Sequence, residues 1–318
     1  MHVVHNTARF VEKVAQPADI TVAVVNCIPF LSGYYEQSLD VLKACITSIH
    51  ANTPEAHDLM VFDNHSCREA RQYLQEAYEQ DIIQYLVLSD KNIGKIGAWN
   101  FIFGAAQGKY IVFADGDVGF HPGWLPASLA LFDAFPNVGM VTARPLRSPM
   151  EYSSATLDWA RQQAPGVYEE GQFLDWDCYW EHARSTGYTE EKARAEFPKG
   201  RDHRLVCQGK TAFIGATHFQ FMARSELFRQ IIPLPSEQPM RGERALDVEI
   251  NRLGYMRLLT DKPYVWHMGN TLTDSARIAA PARKRKPLLR RLLWLPFIRR
   301  PLLWLNNQIF RLYFFNVD

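Results

Sequence analysis

Residues 108–117 read G-K-Y-I-V-F-A-D-G-D, and this run decides the fold. Tyr110 to Ala114 carry no polar break, the pattern of a strand covered on both faces in a parallel sheet. Two aspartates follow at once, Asp115 and Asp117, separated only by Gly116. Carboxylates one residue apart on the turn after a buried strand can share a divalent cation, and that cation can also grip a diphosphate. Acidic turns are common, however, and a solvated turn gives the same letters, so the surroundings must supply the weight.

Outward from this run, strand and helix signals alternate. Ile20 to Cys27 (I-T-V-A-V-V-N-C) is a β-branched strand. Leu39, Leu42, Ile46 and Ile49 recur at helical spacing until Asn52-Thr53-Pro54 stops the helix. Asp58 to Phe62 is a second strand ending in D-N-H-S, Arg68 to Gln80 a helix, Ile82 to Leu88 a third strand and Gly97 to Gly108 a helix. Such alternation predicts an α/β fold on a parallel sheet, with the polar residues gathered at the carboxyl edge where open α/β sheets bind ligands. From Ser148 to Cys207 the pattern blurs, apart from a helix over Glu190 to Glu196. Regularity returns in T-A-F-I-G-A-T-H-F-Q-F-M-A-R (211–224), a strand-like run, then a short helix from Leu246 to Leu253. Y-V-W-H-M-G (264–269) reads as a closing strand and turn.

Three segments in order, V-F-D-N-H-S (61–66), D-K-N-I-G-K-I-G-A-W-N (90–100) and the run ending in D-G-D, resemble the family 2 glycosyltransferases. The resemblance implies a single GT-A domain, a Rossmann-like α/β fold with a mostly parallel sheet. It places Asp63, Asn64 and Ser66 at the nucleotide base, with Asn26 at the end of the first strand. Asn92, Gly94, Ala98 and Asn100 form the helix start that precedes the aspartate motif, and Asp115 and Asp117 bind metal and diphosphate. The segments L-D-V-E-I-N-R-L-G-Y (246–255) and V-W-H-M-G correspond to the later motifs, giving Asp247 or Glu249 as catalytic base and His267 as a further metal ligand. There are departures: Leu246 stands where the family has Glu, and the first loop, N-C-I-P-F-L-S-G-Y-Y (26–35), lacks the usual Pro-x-Tyr/Phe-Asn ending. On its own, His267 is equally a packed or capping histidine.

The implied activity is a metal-dependent, inverting glycosyl transfer using Mn2+ or Mg2+ and a nucleotide-sugar donor, a UDP-sugar by family resemblance. The acceptor would be a glycan or a lipid-linked sugar. The cation neutralises the departing diphosphate, and a carboxylate takes the proton of the attacking hydroxyl. Trp159, Trp176, Tyr179 and Trp180 are candidate acceptor contacts, since aromatic faces stack on sugar rings, although some must belong to the core. Two rival classes are a nucleotidyltransferase, against which the lack of a Gly-rich basic phosphate loop argues, and a non-catalytic membrane-binding scaffold of the same fold. A separate possibility is zinc: Cys178, His182, His203 and Cys207 have spacings compatible with a four-ligand site.

With 318 residues and 47% hydrophobic content the chain can bury a sizeable core and is neither disordered nor a disulfide miniprotein. Five irregularly spaced cysteines point to reduced thiols in a cytosolic setting. Lys+Arg 35 and Asp+Glu 34 nearly cancel, but unevenly: from Ala276 onward ten Lys/Arg face one acidic residue, leaving the remainder at −8. The expected division is an N-terminal extension (1–19), a nucleotide-sugar half (20–147), an acceptor and catalytic half (148–275) and a basic amphipathic tail (276–318). No secretory signal is evident at the N-terminus. The apolar stretch Leu288 to Phe315 is cut by Arg290, Arg291, Arg299, Arg300 and Arg311 and is too interrupted to span a membrane. The tail reads as interfacial helices holding a cytoplasmic, peripheral enzyme on the anionic inner face of a membrane, or else as a helix pair packed on the body. The acidic body argues against nucleic-acid binding.

Overall fold

The computed structural model describes residues 13–236, 242–272, 300–302, 304, 305 and 308. The first half alternates as its periodicity predicts: β1 (Ile20–Asn26), α1 (Ser38–Asn52), β2 (Asp58–Asn64), α2 (Arg68–Glu79), β3 (Tyr85–Ser89), α3 (Gly94–Ala105) and β4 (Tyr110–Asp115). Directly after the D-G-D turn come β5 (Val118–Phe120), α4 (Trp124–Ala134) and β6 (Val138–Thr142). The less regular stretch holds α5 (Ser154–Arg161), β7 (Tyr168–Gly171), α6 (Trp176–Ser185), α7 (Glu190–Glu196) and β8 (Asp202–Cys207). It is followed by β9 (Lys210–Ile214), β10 (Gln220–Arg224), α8 (Ser225–Ile231), α9 (Arg244–Arg252), β11 (Met256–Thr260) and β12 (Val265–His267).

Among the described residues ten strands make one sheet in the order β3-β2-β1-β4-β10-β6-β11-β9-β8-β7. β3, β2, β1 and β4 run parallel, as do β6 and β11, while β10, β9, β8 and β7 pair antiparallel with their neighbours. The period of two is visible in what each strand buries. Val22 and Val24 of β1 with Val112 and Ala114 of β4 join α1 and α4 on one face. Ala23, Ile111 and Phe113 join Trp99, Ile102 and Phe103 of α3 and Phe228 of α8 on the other. A strand covered on both sides must be apolar throughout, which is why Y-I-V-F-A has no alternation.

Some expected element boundaries are corrected. The run 211–224 is not one strand: Gly215, at φ +130°, breaks it into β9 and β10, which lie at separate places in the sheet. Residues 264–269 hold the expected strand, β12, which pairs with β5 in a two-stranded ribbon. The third helix starts three residues earlier than expected, at Gly94, whose φ of +73° suits a glycine at the turn into a helix. The third strand likewise begins at Tyr85 and not at Ile82.

The chain divides into two compact units, Met1–Ala280 and Pro281–Asp318. In the second, residues 300–302, 304, 305 and 308 are helical, with Leu302, Trp304 and Leu305 exposed. The rest of the expected tail lies outside the described residues. Among the described residues no helix is long and apolar enough to cross a membrane.

Candidate active site

The carboxyl ends of β1, β2 and β4 carry the first cluster. Asn26 closes β1, and its Nδ2 donates to Asp63 Oδ1 at 3.2 Å and to Ser66 Oγ at 2.9 Å. Asp63, at the end of β2, is fully buried; its Oδ2 accepts from Arg71 Nε at 3.0 Å and from the Ser66 amide at 3.2 Å. Asn64 faces the other way. Its Nδ2 donates to Asn92 Oδ1 and the Gly94 carbonyl, and its Oδ1 accepts from the Ile93 amide. Asn92 Oδ1 also accepts from the Gly94 amide at 2.8 Å, so Asn64 and Asn92 together hold the start of α3. Asn100, one and a half turns further on, spends both amide atoms on the backbone of Leu234. The structure thus brings Asn26, Asp63 and Ser66 into one network and Asn64, Asn92 and Gly94 into another, with Asn100 apart from both.

The second cluster sits on the D-G-D turn. The Asp115 amide donates to the Phe219 carbonyl, and the Gly116 amide to that of Val25, so the turn is pinned across two neighbouring strands. β5 follows immediately and pairs with β12 in the register Val118↔His267 and Gly119↔Trp266. That register carries His267 across 150 residues of sequence to Asp117, Nε2 to Oδ2 at 3.2 Å. Gly119 is needed for it, because a Cβ there would fall 2.2 Å from the Trp266 ring. Ser185 of α6 lies 3.1 Å from the other ring nitrogen of His267.

Lys95 supplies the counter-charge, its Nζ 2.6 Å from Asp115 Oδ2 and above the rings of Trp99 and Phe113. Burial raises the Asp115 carboxyl to about 6; Lys95 opposes that rise and the Asp117 charge adds to it. For His267, burial disfavours the charged ring, but the hydrogen bond and charge of Asp117, with Asp115 behind it, outweigh burial and raise its pKa. Asp117 Oδ1 is buried and makes no hydrogen bond among the described residues. An unpaired carboxylate oxygen beside a second carboxylate suits a cation. Among the described residues no three His, Cys, Asp or Glu side chains converge closely enough to hold a metal on their own.

The third cluster surrounds Asp247 on the first turn of α9. Asp247 has no exposed surface, and it is met by Arg257 Nη2 at 2.6 Å, His218 Nε2 at 2.9 Å and Arg244 Nη1 at 3.0 Å. Glu249 pairs locally with Arg252 of its own helix. Positions two apart do not share a helix face, so these two carboxylates address different surroundings.

The proposed zinc ligands are not gathered into a site. Cys178 is buried under Arg144 and points at the Pro145 carbonyl, His182 stacks on Phe219, and His203 bonds the Tyr168 hydroxyl on the β7–β8 edge. Among the described residues all five cysteines are free. The aromatic candidates divide. Trp159 packs edge-on to Phe135, while Trp176 and Trp180 stack in parallel on α6. Trp180 also lines a cavity of about 390 Å³ with Asp175, Asp177, Glu181 and Arg184.

Lys95, His218, Arg244 and Arg257 were not singled out in the sequence. For Lys95 a signal existed, a lysine directly after the helix-starting glycine of N-I-G-K. Arg244 stands three residues before Asp247 on the same helix, a spacing that brings side chains together, whereas His218, between β9 and β10, and Arg257 of β11 had no local signal.

No curated protein matches the chain. Solved structures similar to it include residues 1–349 of TarS from S. aureus, at 11% identity and a TM-score of 0.47 over 79% of this chain and 60% of that one. GalNAc-T7, crystallised with UDP, GalNAc and Mn2+, aligns at 14% identity and 0.49 over 78% and 42%. The mannosyltransferase PcManGT of Pyrobaculum calidifontis, in complex with GDP-Man and Mn2+, aligns at 15% and 0.42 over 80% and 62%. The chain therefore spans less than two thirds of each of these proteins. The family model for glycosyl transferase family 2 matches residues 31–225, well over half of the chain, from the loop after β1 through the D-G-D turn to the end of β10, and the chain belongs to that family.

Proposed function

We propose that the chain transfers a sugar from a nucleotide-sugar donor to a hydroxyl acceptor with inversion, with Mn2+ or Mg2+ on the D-G-D turn. The observation that carries this reading is the buried, unpartnered Oδ1 of Asp117 beside Asp115 and His267, at the carboxyl edge of the sheet. Asp115 and Asp117 would hold the cation with His267 next to them; when bound, it neutralises the diphosphate as it leaves. Lys95 at the start of α3 adds a positive charge on the same side. The Asn26–Asp63–Ser66 network is where the nucleotide base would lie, with Asn64, Asn92 and Gly94 shaping the loop that borders it and Asn100 fastening α3 from behind. Of the two carboxylates considered for proton transfer, Asp247 is favoured over Glu249. It is tied through His218 to the segment that crosses the D-G-D turn, whereas Glu249 pairs only with Arg252.

The donor is proposed to be a UDP-sugar and the acceptor a glycan or lipid-linked sugar, contacted by aromatics of α6 such as Trp180. The basic segment from Ala276 would bring the acidic body to an anionic inner leaflet, each near-surface Lys or Arg adding about 1 kcal/mol. A thermal-shift panel of UDP- and GDP-sugars tests the donor side. A rise in melting temperature that needs both nucleotide and Mn2+ supports the reading, because a ligand bound only to the folded state stabilises it. Release of pyrophosphate in place of a nucleoside diphosphate would move the enzyme to nucleotidyl transfer. Replacing Arg283, Lys284, Arg285 and Lys286 by Glu should release the full chain from anionic liposomes; unchanged sedimentation removes the tail from the proposal.

A further inference from the structure

The helix beside His267 has a second face. Ser185 of α6 lies 3.1 Å from His267 Nδ1, and a Cβ on Gly269 would fall 3.4 Å from the Ser185 carbonyl. The C-terminal end of α6 therefore rests on the strand and turn around His267. One turn earlier, Arg144 Nη1 donates to Glu181 Oε2 at 2.7 Å and to the Val265 carbonyl at 3.1 Å, tying α6 to the start of the same strand. So α6 runs alongside β12, and the cavity of about 390 Å³ opens between the helix and Pro263, two residues before that strand.

This volume lies at the small end of ligand clefts, which span about 300–1,000 Å³. Trp180 is half-buried in the wall. Trp176 stacks parallel to it with ring centroids 6.0 Å apart, and the Arg194 guanidinium lies 4.5 Å from the Trp176 ring, so the indole of Trp180 is braced. Asp175 Oδ1 caps α6 by accepting from the Cys178 amide at 2.8 Å, and Glu181 is answered by the buried Arg144. Asp177 and Arg184 are exposed and enter no ion pair or side-chain hydrogen bond among the described residues.

A pyranose ring has an apolar face of C–H groups and a rim of hydroxyls. An indole can take the face, while carboxylates and a guanidinium take the hydroxyls. Three carboxylates, Asp175, Asp177 and Glu181, face two guanidiniums, Arg184 and Arg144, so an uncharged sugar suits the cavity and an acidic one is repelled. Trp180 and Glu181 precede Ser185 by about 6–8 Å along the helix axis. Pro263 is joined to His267 by four residues, at most about 14 Å of chain. A ring stacked on Trp180 thus lies beside the cation site and not in it.

We propose that this cavity is an acceptor subsite for the sugar ring next to the one that bears the attacking hydroxyl. The acceptor is then an uncharged oligosaccharide of at least two rings, free or lipid-linked. This rests on the glycosyltransferase reading above and names its acceptor class.

The test applies the full chain, with Mn2+ and UDP or GDP, to an array of neutral, sialylated and uronic-acid glycans of one to six rings. Neutral glycans of two or more rings should bind at least about tenfold more tightly than the single sugar of the same series. Trp180→Ala should erase that gain and Trp180→Phe should keep most of it, while Mn2+-dependent nucleotide binding, by calorimetry, stays within a factor of about two in both. Asp177→Ala, which removes an exposed side chain outside any ion pair, should lower the gain as well and serves as the check if Trp180→Ala folds poorly. Four outcomes overturn this inference alone: equal binding of one-ring and two-ring glycans, preference for the acidic glycans, no glycan bound by a chain that binds nucleotide, or a gain that survives both substitutions. If the chain binds no nucleotide with Mn2+, the glycosyltransferase reading falls, and this inference with it.

Discussion

Two carboxylate clusters of this protein have opposite electrostatic balance. On the D-G-D turn two aspartates face one lysine and one histidine, both carboxylates are part-exposed, and one oxygen has no partner. Around Asp247 a single fully enclosed carboxylate faces two arginines and a histidine. The first is short of positive charge, which is what the proposed cation would supply. The second has its charge answered within the protein. A buried carboxylate is therefore informative through what remains unpaired beside it, more than through its burial.

The sharpest way to break this comparison is to remove the negative cluster. Asp117→Ala should abolish Mn2+-dependent turnover, at least about 10³-fold, with the melting temperature of the metal-free protein little changed. Full activity in excess chelator would refute it. Removing a partner from the closed cluster should act on stability instead. Arg257→Ala is expected to cost about 3–5 kcal/mol by denaturant unfolding, because it leaves a buried charge without compensation. Arg257→Met together with Asp247→Leu should recover much of that loss, since well-packed apolar groups often replace a buried ion pair at little cost.

The ribbon that joins β5 to β12 offers a finer test. Gly119→Ala pushes a methyl into the Trp266 ring and should cost about 1–3 kcal/mol. Because the same register delivers His267 to Asp117, it should also weaken Mn2+ binding, seen by calorimetry. His182 behind that ribbon gives a pH signature. Burial, and then the charges of Arg144 and His267, depress it to about 3. The unfolded chain binds this proton near pH 6.5 and the folded chain does not, so stability is full above about 6.5 and is lost as pH falls towards 3. His182→Phe should flatten the melting-temperature profile in that window. The smallest effect belongs to Arg244→Ala: this partner of Asp247 is half exposed, and its loss should cost less than about 1 kcal/mol. A cost near that of Arg257→Ala would show that the Asp247 cluster is balanced as a whole.

Local pattern was enough for the parallel half of the sheet. Strands such as Y-I-V-F-A are apolar at every position because helices cover both faces, and that continuity needs no knowledge of the partner strands. The D-G-D turn was legible for a related reason: both carboxylates come from one turn, so sequence spacing is also spatial spacing. The Asp63 and Asn64 segment was legible as a strand end, but not the fact that Asn64 faces α3 while Asp63 faces Asn26 and Ser66.

What only the tertiary structure decided are the meetings between distant segments. His267 reaches Asp117 through the register of a three-residue ribbon, and Asp247 of α9 meets His218 from the segment between β9 and β10 and Arg257 from β11. Gly215 splits a sequence that looks like one strand, because the freedom of a single glycine to turn the chain outweighs the β-propensity of its neighbours. A one-dimensional pattern records which faces of an element are apolar. Which polar side chains end up sharing a proton or a charge depends on strand order and register, and those are settled by packing across the whole sheet.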